Sequence, residues 1–183
     1  MFARAFQDDP LSTYWIPDAR KRENLLAPIF EVIVRYGVIW GEAYATSTDL
    51  EGVAAWHPPG KARMSMWATM RSGGFSLVPK VGISVISRMQ SYDKYASALH
   101  HRHADFPHWY LAPIGVDPVF QGEGHGGTLM GAMFTRLDAE DLPCYLETHK
   151  EKNVEMYRHY GFTVVETGVI PGTGVIHWSM LRR

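Results

Sequence analysis

Four glycines fall within the six residues Gly122-Glu123-Gly124-His125-Gly126-Gly127. They follow an apolar run that ends Ile114-Gly115-Val116 and precede a stretch in which Leu129, Met130, Met133, Phe134 and Leu137 share one helical stripe. A strand, a glycine loop and a helix in that order aim unpaired backbone N–H groups and the positive end of a helix dipole at one point. Such a corner suits a phosphate or diphosphate. Side chains there would hold a phosphate off the amides, and so tight a turn calls for positive φ. Proton transfer has its own candidates: Glu147 near the end of the apolar run Pro143–Thr148, with His149 and His57 in reserve. Cys144, the single cysteine, stands in an apolar strand with no motif around it and reads as a buried, inert thiol. It excludes an internal disulfide and a cysteine-rich zinc site. His100-His101-x-His103 reads as a polar, solvated loop without ligand geometry, so no metal is expected.

The elements that must position these residues follow from periodicity. Leu25, Leu26, Ile29, Phe30, Ile33 and Val34 predict an amphipathic helix from about Asp18 to Tyr36, with Pro28 inside it and Gly37 ending it. Val38–Thr46 and Gly52–His57 read as an antiparallel strand pair around the turn-like Ser47–Gly52, and His57-Pro58-Pro59-Gly60 stops the second strand. Helical pieces are expected over Arg63–Arg71 and Pro79–Leu99. The strand His108–Val116 contains Pro113 and Gly115, both of which weaken ladder bonding, so a bulge or splay is expected there. Beyond the glycine loop and its helix come the strand Pro143–Thr148, a helix over Glu151–Tyr160 capped by Gly161, and strands starting at Phe162 and Val175.

A chain of 183 residues predicts one domain over 1–183. Hydrophobic residues make up 46% and charged residues 20%, and the formal net charge of −1 gives no basis for a nucleic-acid or membrane-surface binder. No stretch has the roughly 20 apolar residues of a membrane span, and the opening Met1-Phe2-Ala3-Arg4 begins no signal peptide; a cytoplasmic location is expected.

Two families of motif compete for the glycine loop. Gly122-x-Gly124-x-x-Gly127 satisfies a dinucleotide fingerprint, with Glu147 placed where a ribose-binding acid would stand. A nicotinamide enzyme would need a doubly wound domain after that loop, and too little chain follows. A P-loop is disfavoured because no Lys-Ser or Lys-Thr follows the glycines. More residues are used by a second pattern: Gly115-Val116-x-Pro118, Gln121-Gly122-x-Gly124-x-Gly126, then Asn153-x-x-x-Tyr157-x-x-Tyr160-Gly161-Phe162. This pattern resembles the coenzyme A signature of the GNAT N-acetyltransferase superfamily. With Trp109-Tyr110-Leu111 and Tyr145-Leu146-Glu147-Thr148 it is most similar to the puromycin N-acetyltransferase type. The resemblance is strong from His108 to Val165 and faint before that.

The resemblance implies an α/β fold with a mixed, mostly antiparallel central sheet flanked by helices and splayed near 109–116. The family's first edge strand is missing, since the chain begins in what would be the following helix, and a second subunit or the N-terminal segment is expected to cover the bare edge. It further implies transfer of acetyl from acetyl-CoA to a primary amine of a small molecule or peptide, without metal. Gln121, Gly122, Glu123, Gly124, His125, Gly126 and Gly127 would hold the diphosphate, and Ile114, Gly115 and Val116 would offer backbone groups to the pantetheine arm and the thioester carbonyl. Asn153 would bond the pantetheine or cap its helix. Glu147 would be the proton acceptor or a salt-bridged surface residue, and Tyr157 the acid for the departing thiolate or a packing residue, while Tyr160 packs. Trp56, Trp109 and Tyr110 are the candidates for binding the acceptor. A coenzyme A-binding module without turnover is the alternative; it would need the loop but neither Tyr157 nor a base.

Overall fold

The computed structural model describes residues 1–62 and 65–183. Two short helices open the chain, α1 (Phe2–Ala5) and α2 (Pro10–Trp15), the second started by Pro10 and by the Asp9 carboxylate, which accepts from Leu11 N at 3.0 Å. Helix α3 (Ala19–Trp40) buries Leu26, Ile29, Phe30 and Tyr36 on one stripe. It passes through Gly37 instead of ending there and turns at Gly41, so the expected strand from Val38 is replaced by helix up to Trp40. Packing decides this. A Cβ on Gly37 would lie 2.6 Å from the Ala55 Cβ, so the glycine lets helix and sheet touch. Gly37→Ala therefore lowers the unfolding free energy by about 1–3 kcal/mol despite a better helix propensity, as denaturant titration would measure.

Strand β1 is only Glu42–Ala45, and β2 spans Gly52–His57 as expected. Helix α4 (Met66–Arg71) is followed by α5 (Leu77–Val81) and the long α6 (Ile83–His103). The expected Arg63 start falls outside the described residues. Gly82, at φ +85°, separates α5 from α6, so the helical piece expected over Pro79–Leu99 is divided between two helices. Then come β3 (Trp109–Val116), α7 (His125–Glu140), β4 (Cys144–Thr148), α8 (Glu151–His159), β5 (Thr163–Val169) and β6 (Ile176–Arg182). None of the described helices is long and apolar enough to cross a membrane.

The sheet order is β1-β2-β3-β4-β6-β5, antiparallel at every junction but one. That exception, β3 with β4, is parallel and registers only Trp109 with Cys144 and Tyr110 with Tyr145. Along β2, by contrast, β3 pairs from Tyr110 to Val116. The two middle strands therefore part beyond Tyr110, which is the expected splay. Strand alternation sends Trp56, Trp109, Leu111, Cys144, Leu146 and Met180 to one face, against Met130, Met133, Phe134 and Leu137 of α7 and Val154 and Tyr157 of α8. On the other face lie the helices α1, α2, α3, α5 and α6. Strand β1 forms the outer edge of the sheet, with three of its four residues exposed. The N-terminal segment does not cover it. Instead α1 packs on α3, and its Phe2 and Phe6 rings press on Gly115 of β3, where a Cβ would lie 3.0 Å from Phe2. Arg4 pairs with the buried Asp117, tying α1 to the entrance of the glycine loop and holding that carboxyl below its usual pKa range.

Candidate functional site

The glycine corner has the shape its sequence predicts. Gly122 and Gly124 take φ of +93° and +87°, the left-handed region that other residues avoid, and Gly124 is the N-cap of the sixteen-residue α7. A Cβ built on Gly122, Gly124 or Gly126 would meet nothing within 4 Å, so the glycines face open space in front of the helix N-terminus. The diphosphate of coenzyme A fits that corner: it needs amides, a dipole and room, and all three are present. Gly127 differs, since a Cβ there would lie 2.8 Å from the Tyr160 hydroxyl; it is a packing glycine, and Tyr160 packs as expected. His125 lies 3.5 Å from Glu123 and beside the Phe120 ring, and Gln121 donates to the Val116 carbonyl at 3.1 Å, bracing the turn.

Beside this corner the splay separates Ile114, Gly115 and Val116 from β4, and Thr148 at the end of β4 accepts from Asn153 Nδ2 at 3.2 Å. Tyr157 is buried, 5.7 Å from Phe162 and near Cys144, and burial raises its hydroxyl well above the usual pKa. The Cys144 thiol is also pushed far up by burial, which keeps it protonated and inert.

Glu147 sits on the opposite face of β4 from Tyr157, in a cage of three phenols. Tyr92 and Tyr110 donate to Oε2 at 3.1 and 3.2 Å, and Tyr145 donates to Oε1 at 3.2 Å. Its side chain is only 5% exposed. Burial raises its pKa to about 7; the three hydroxyls pull the other way, and Asp93 adds to the rise. A carboxylate titrating at working pH is what a general base requires. The two reserve histidines are held neutral: burial lowers His57, whose Nε2 bonds the Ala112 carbonyl at 2.7 Å, and burial with the His177 neighbour lowers His149 to about 3.

Three placements correct the sequence reading. Trp56 and Trp109, taken as acceptor-binding, are 0% and 3% exposed in the core against α7, because alternation turns them away from Glu147. Tyr110, one residue on, faces the cage. His100 is no solvated loop residue: it lies in the last turn of α6, stacks on Tyr145 at 4.3 Å and contacts His108 Nε2 at 2.7 Å. Among the described residues no group of three or more His, Cys, Asp or Glu side chains could hold a metal ion. The sequence reading gave Tyr92, Tyr145, His177 and Ser179 no part in proton transfer. Period-2 alternation was the signal that could have found most of them, since it puts Tyr145, Glu147 and His149, and again His177 and Ser179, on one face of their strands.

Comparison with known proteins agrees with this geometry. A family model described as the acetyltransferase (GNAT) family matches residues 81–162, from the end of α5 through Phe162. An uncharacterized N-acetyltransferase of Schizosaccharomyces pombe is 30% identical over 166 residues, 86% of this chain and 66% of that protein. Mycothiol acetyltransferase of Propionibacterium freudenreichii is 41% identical over 59 residues, 31% of this chain and 19% of that protein. The chain thus spans just under two thirds of one relative and a small part of the other. In fold it is similar to a solved structure from Corynebacterium glutamicum described as histone acetyltransferase HPA2 and related acetyltransferase, with a TM-score of 0.70 and 24% identity over 99% of this chain and 86% of that one.

Proposed function

We propose that this chain, whose residues 81–162 match the acetyltransferase (GNAT) family model, is an acetyltransferase of that family that transfers the acetyl group of acetyl-CoA to a primary amine of a small molecule or peptide, as a single domain over residues 1–183 and nearest in kind to the puromycin N-acetyltransferase type. The observation that carries the reading is the phenol-caged Glu147 beside the splay, with the open glycine corner at the splay's end. Acetyl-CoA, when bound, supplies an activated acyl thioester. The backbone from Gln121 to Gly126 would hold the diphosphate, and the freed backbone of Ile114 to Val116 with Asn153 would orient the pantetheine arm. Glu147 accepts the proton that an alkylammonium must lose before it can attack. Tyr157, whose burial keeps its hydroxyl protonated, would supply a hydrogen bond to the thiolate that acetyl transfer releases.

Acetyl-CoA incubated with a panel of amines, followed by release of free thiol, tests the proposal. Release with at least one amine is expected, and tight coenzyme A binding without release to any amine would support the non-catalytic module instead. Tyr157→Phe should lower kcat about 10- to 100-fold while the KM for acetyl-CoA stays within about threefold. A variant with full kcat would remove Tyr157 from the chemistry.

A further inference from the structure

Glu147 has a difficulty as a base: its two oxygens are occupied by three phenols and its side chain is 5% exposed, so an amine cannot reach it directly. A continuous path of hydrogen-bonding groups nevertheless leads away from it. Tyr145 Oη lies 3.2 Å from Glu147 Oε1 and 2.9 Å from Ser179 Oγ. Ser179 Oγ is 3.2 Å from His177 Nε2, and His177 Nδ1 is 3.2 Å from His149 Nε2. Tyr145, His177 and Ser179 are each 0% exposed. His149, at the far end, lines a cavity of about 560 Å³ with Tyr14, Thr173, Val175, Trp178 and Asp8. Buried polar side chains in a closed row need a reason, because each costs desolvation that packing of apolar residues would avoid.

We propose that Tyr145, Ser179, His177 and His149 form a proton path through which the enclosed Glu147 acts as base on an alkylammonium group held in the cavity beside His149. The inference rests on the acetyl-transfer reading above. With Glu147 ionised, the path polarises in one direction: Tyr145 donates to Glu147, Ser179 to Tyr145, His177 Nε2–H to Ser179, and His149 Nε2–H to His177 Nδ1. His149 Nδ1 is left with a free electron pair at the cavity end. On transfer the N–H bond of the ammonium breaks and Nδ1–H forms. His149 passes its Nε2 proton to His177 Nδ1, His177 its Nε2 proton to Ser179, Ser179 its proton to Tyr145, and Tyr145 its proton to Glu147. Each relay residue gains one proton and loses one, both rings end neutral in the other tautomer, and no electron changes owner. The reverse sequence returns the proton to solvent through the cavity. A neutral, low-pKa imidazole would be a poor base alone; connected to Glu147 it transmits the strength of the carboxylate.

The charged and titratable groups around the path are Asp93 near Glu147 and Tyr110, Glu166 near His177 and Tyr145, His100 stacked on Tyr145, Tyr92 against His149 and His177, Tyr95 against His177, Asp8 at the cavity, and Lys150, which pairs with Asp9 at 4.0 Å. The decisive experiment needs no acceptor: ¹⁵N-histidine NMR of the whole chain against pH. The ring nitrogens of His149 and His177 should switch tautomer together, with the midpoint of Glu147, near 7. Glu147→Gln should remove the switch, and Ser179→Ala should uncouple both rings from Glu147. Ring shifts that stay flat between pH 6 and 8 in the wild type, or that survive unchanged in Glu147→Gln, overturn the proposal. In the kinetic arm, with whichever panel amine is turned over fastest, His149→Ala should lower kcat about tenfold at unchanged KM for acetyl-CoA. Added imidazole should restore it, since a purely structural histidine would show no such buffer dependence. A wild type that acetylates no amine refutes the activity while the NMR coupling still decides the path.

Discussion

Glu147→Gln should reduce kcat/KM for acetyl transfer by about 100- to 10,000-fold at pH 7.5, the range a positioned general base contributes. The amide keeps the shape of the side chain but cannot take up a proton, so the binding of acetyl-CoA should hold. Wild-type kcat/KM should rise with pH through an apparent pKa near 7, and the variant should lack that limb. Two amines of different basicity separate this limb from the titration of the acceptor, because only the latter moves between them. Stability should respond with the opposite sense. The folded pKa of Glu147 is raised above its unfolded value of about 4.5, so the stability it contributes is complete below pH 4.5 and is lost as pH rises through 7. Glutamine is neutral throughout; the variant should match the wild type near pH 4.5 and exceed it at pH 8 by on the order of 1–3 kcal/mol. A variant that is slower and also less stable at pH 8 would mean that Glu147 holds the cage together as a charged structural residue.

The second large effect belongs to the glycine corner. Gly124→Trp should raise the Kd for coenzyme A at least about 100-fold by calorimetry, for two reasons that add. The N-cap position has φ of +87°, which costs an L-residue about 1–2 kcal/mol, and the indole would project into the open space where the diphosphate is expected to sit. Gly131→Ala is the control: it lies in the interior of the same helix, is exposed, and has nothing within 4 Å of a built Cβ. It should leave binding unchanged and raise stability by about 0.5–1 kcal/mol. Equal coenzyme A affinity in Gly124→Trp and wild type would place the cofactor elsewhere.

Much of the framework follows from short-range pattern. The glycine loop, the α7 stripe, the Asn153-to-Phe162 segment and the strand Gly52–His57 are all carried by neighbours in the chain, and all were legible. Two of the differences arise from contacts between elements far apart in the chain. Poor helix propensity makes Gly37 read as a helix stop, whereas the contact with Ala55 decides its role. Trp56 and Trp109 read as pocket residues because alternation tells which residues share a face without telling which helix covers it.

By itself, then, the chain specified most of the elements, the glycine corner and Glu147 as the acid to watch, because those depend on backbone geometry and on residues a few positions apart. Only the tertiary structure decided what Glu147 is. Its partners Tyr92 and Tyr110 stand 55 and 37 positions away, and His177 and Ser179 arrive on a strand that pairs with β4 from the far end of the chain. Burial and a cage of donors set the proton affinity of a carboxylate, and both come from elements that meet only when the sheet closes under α6.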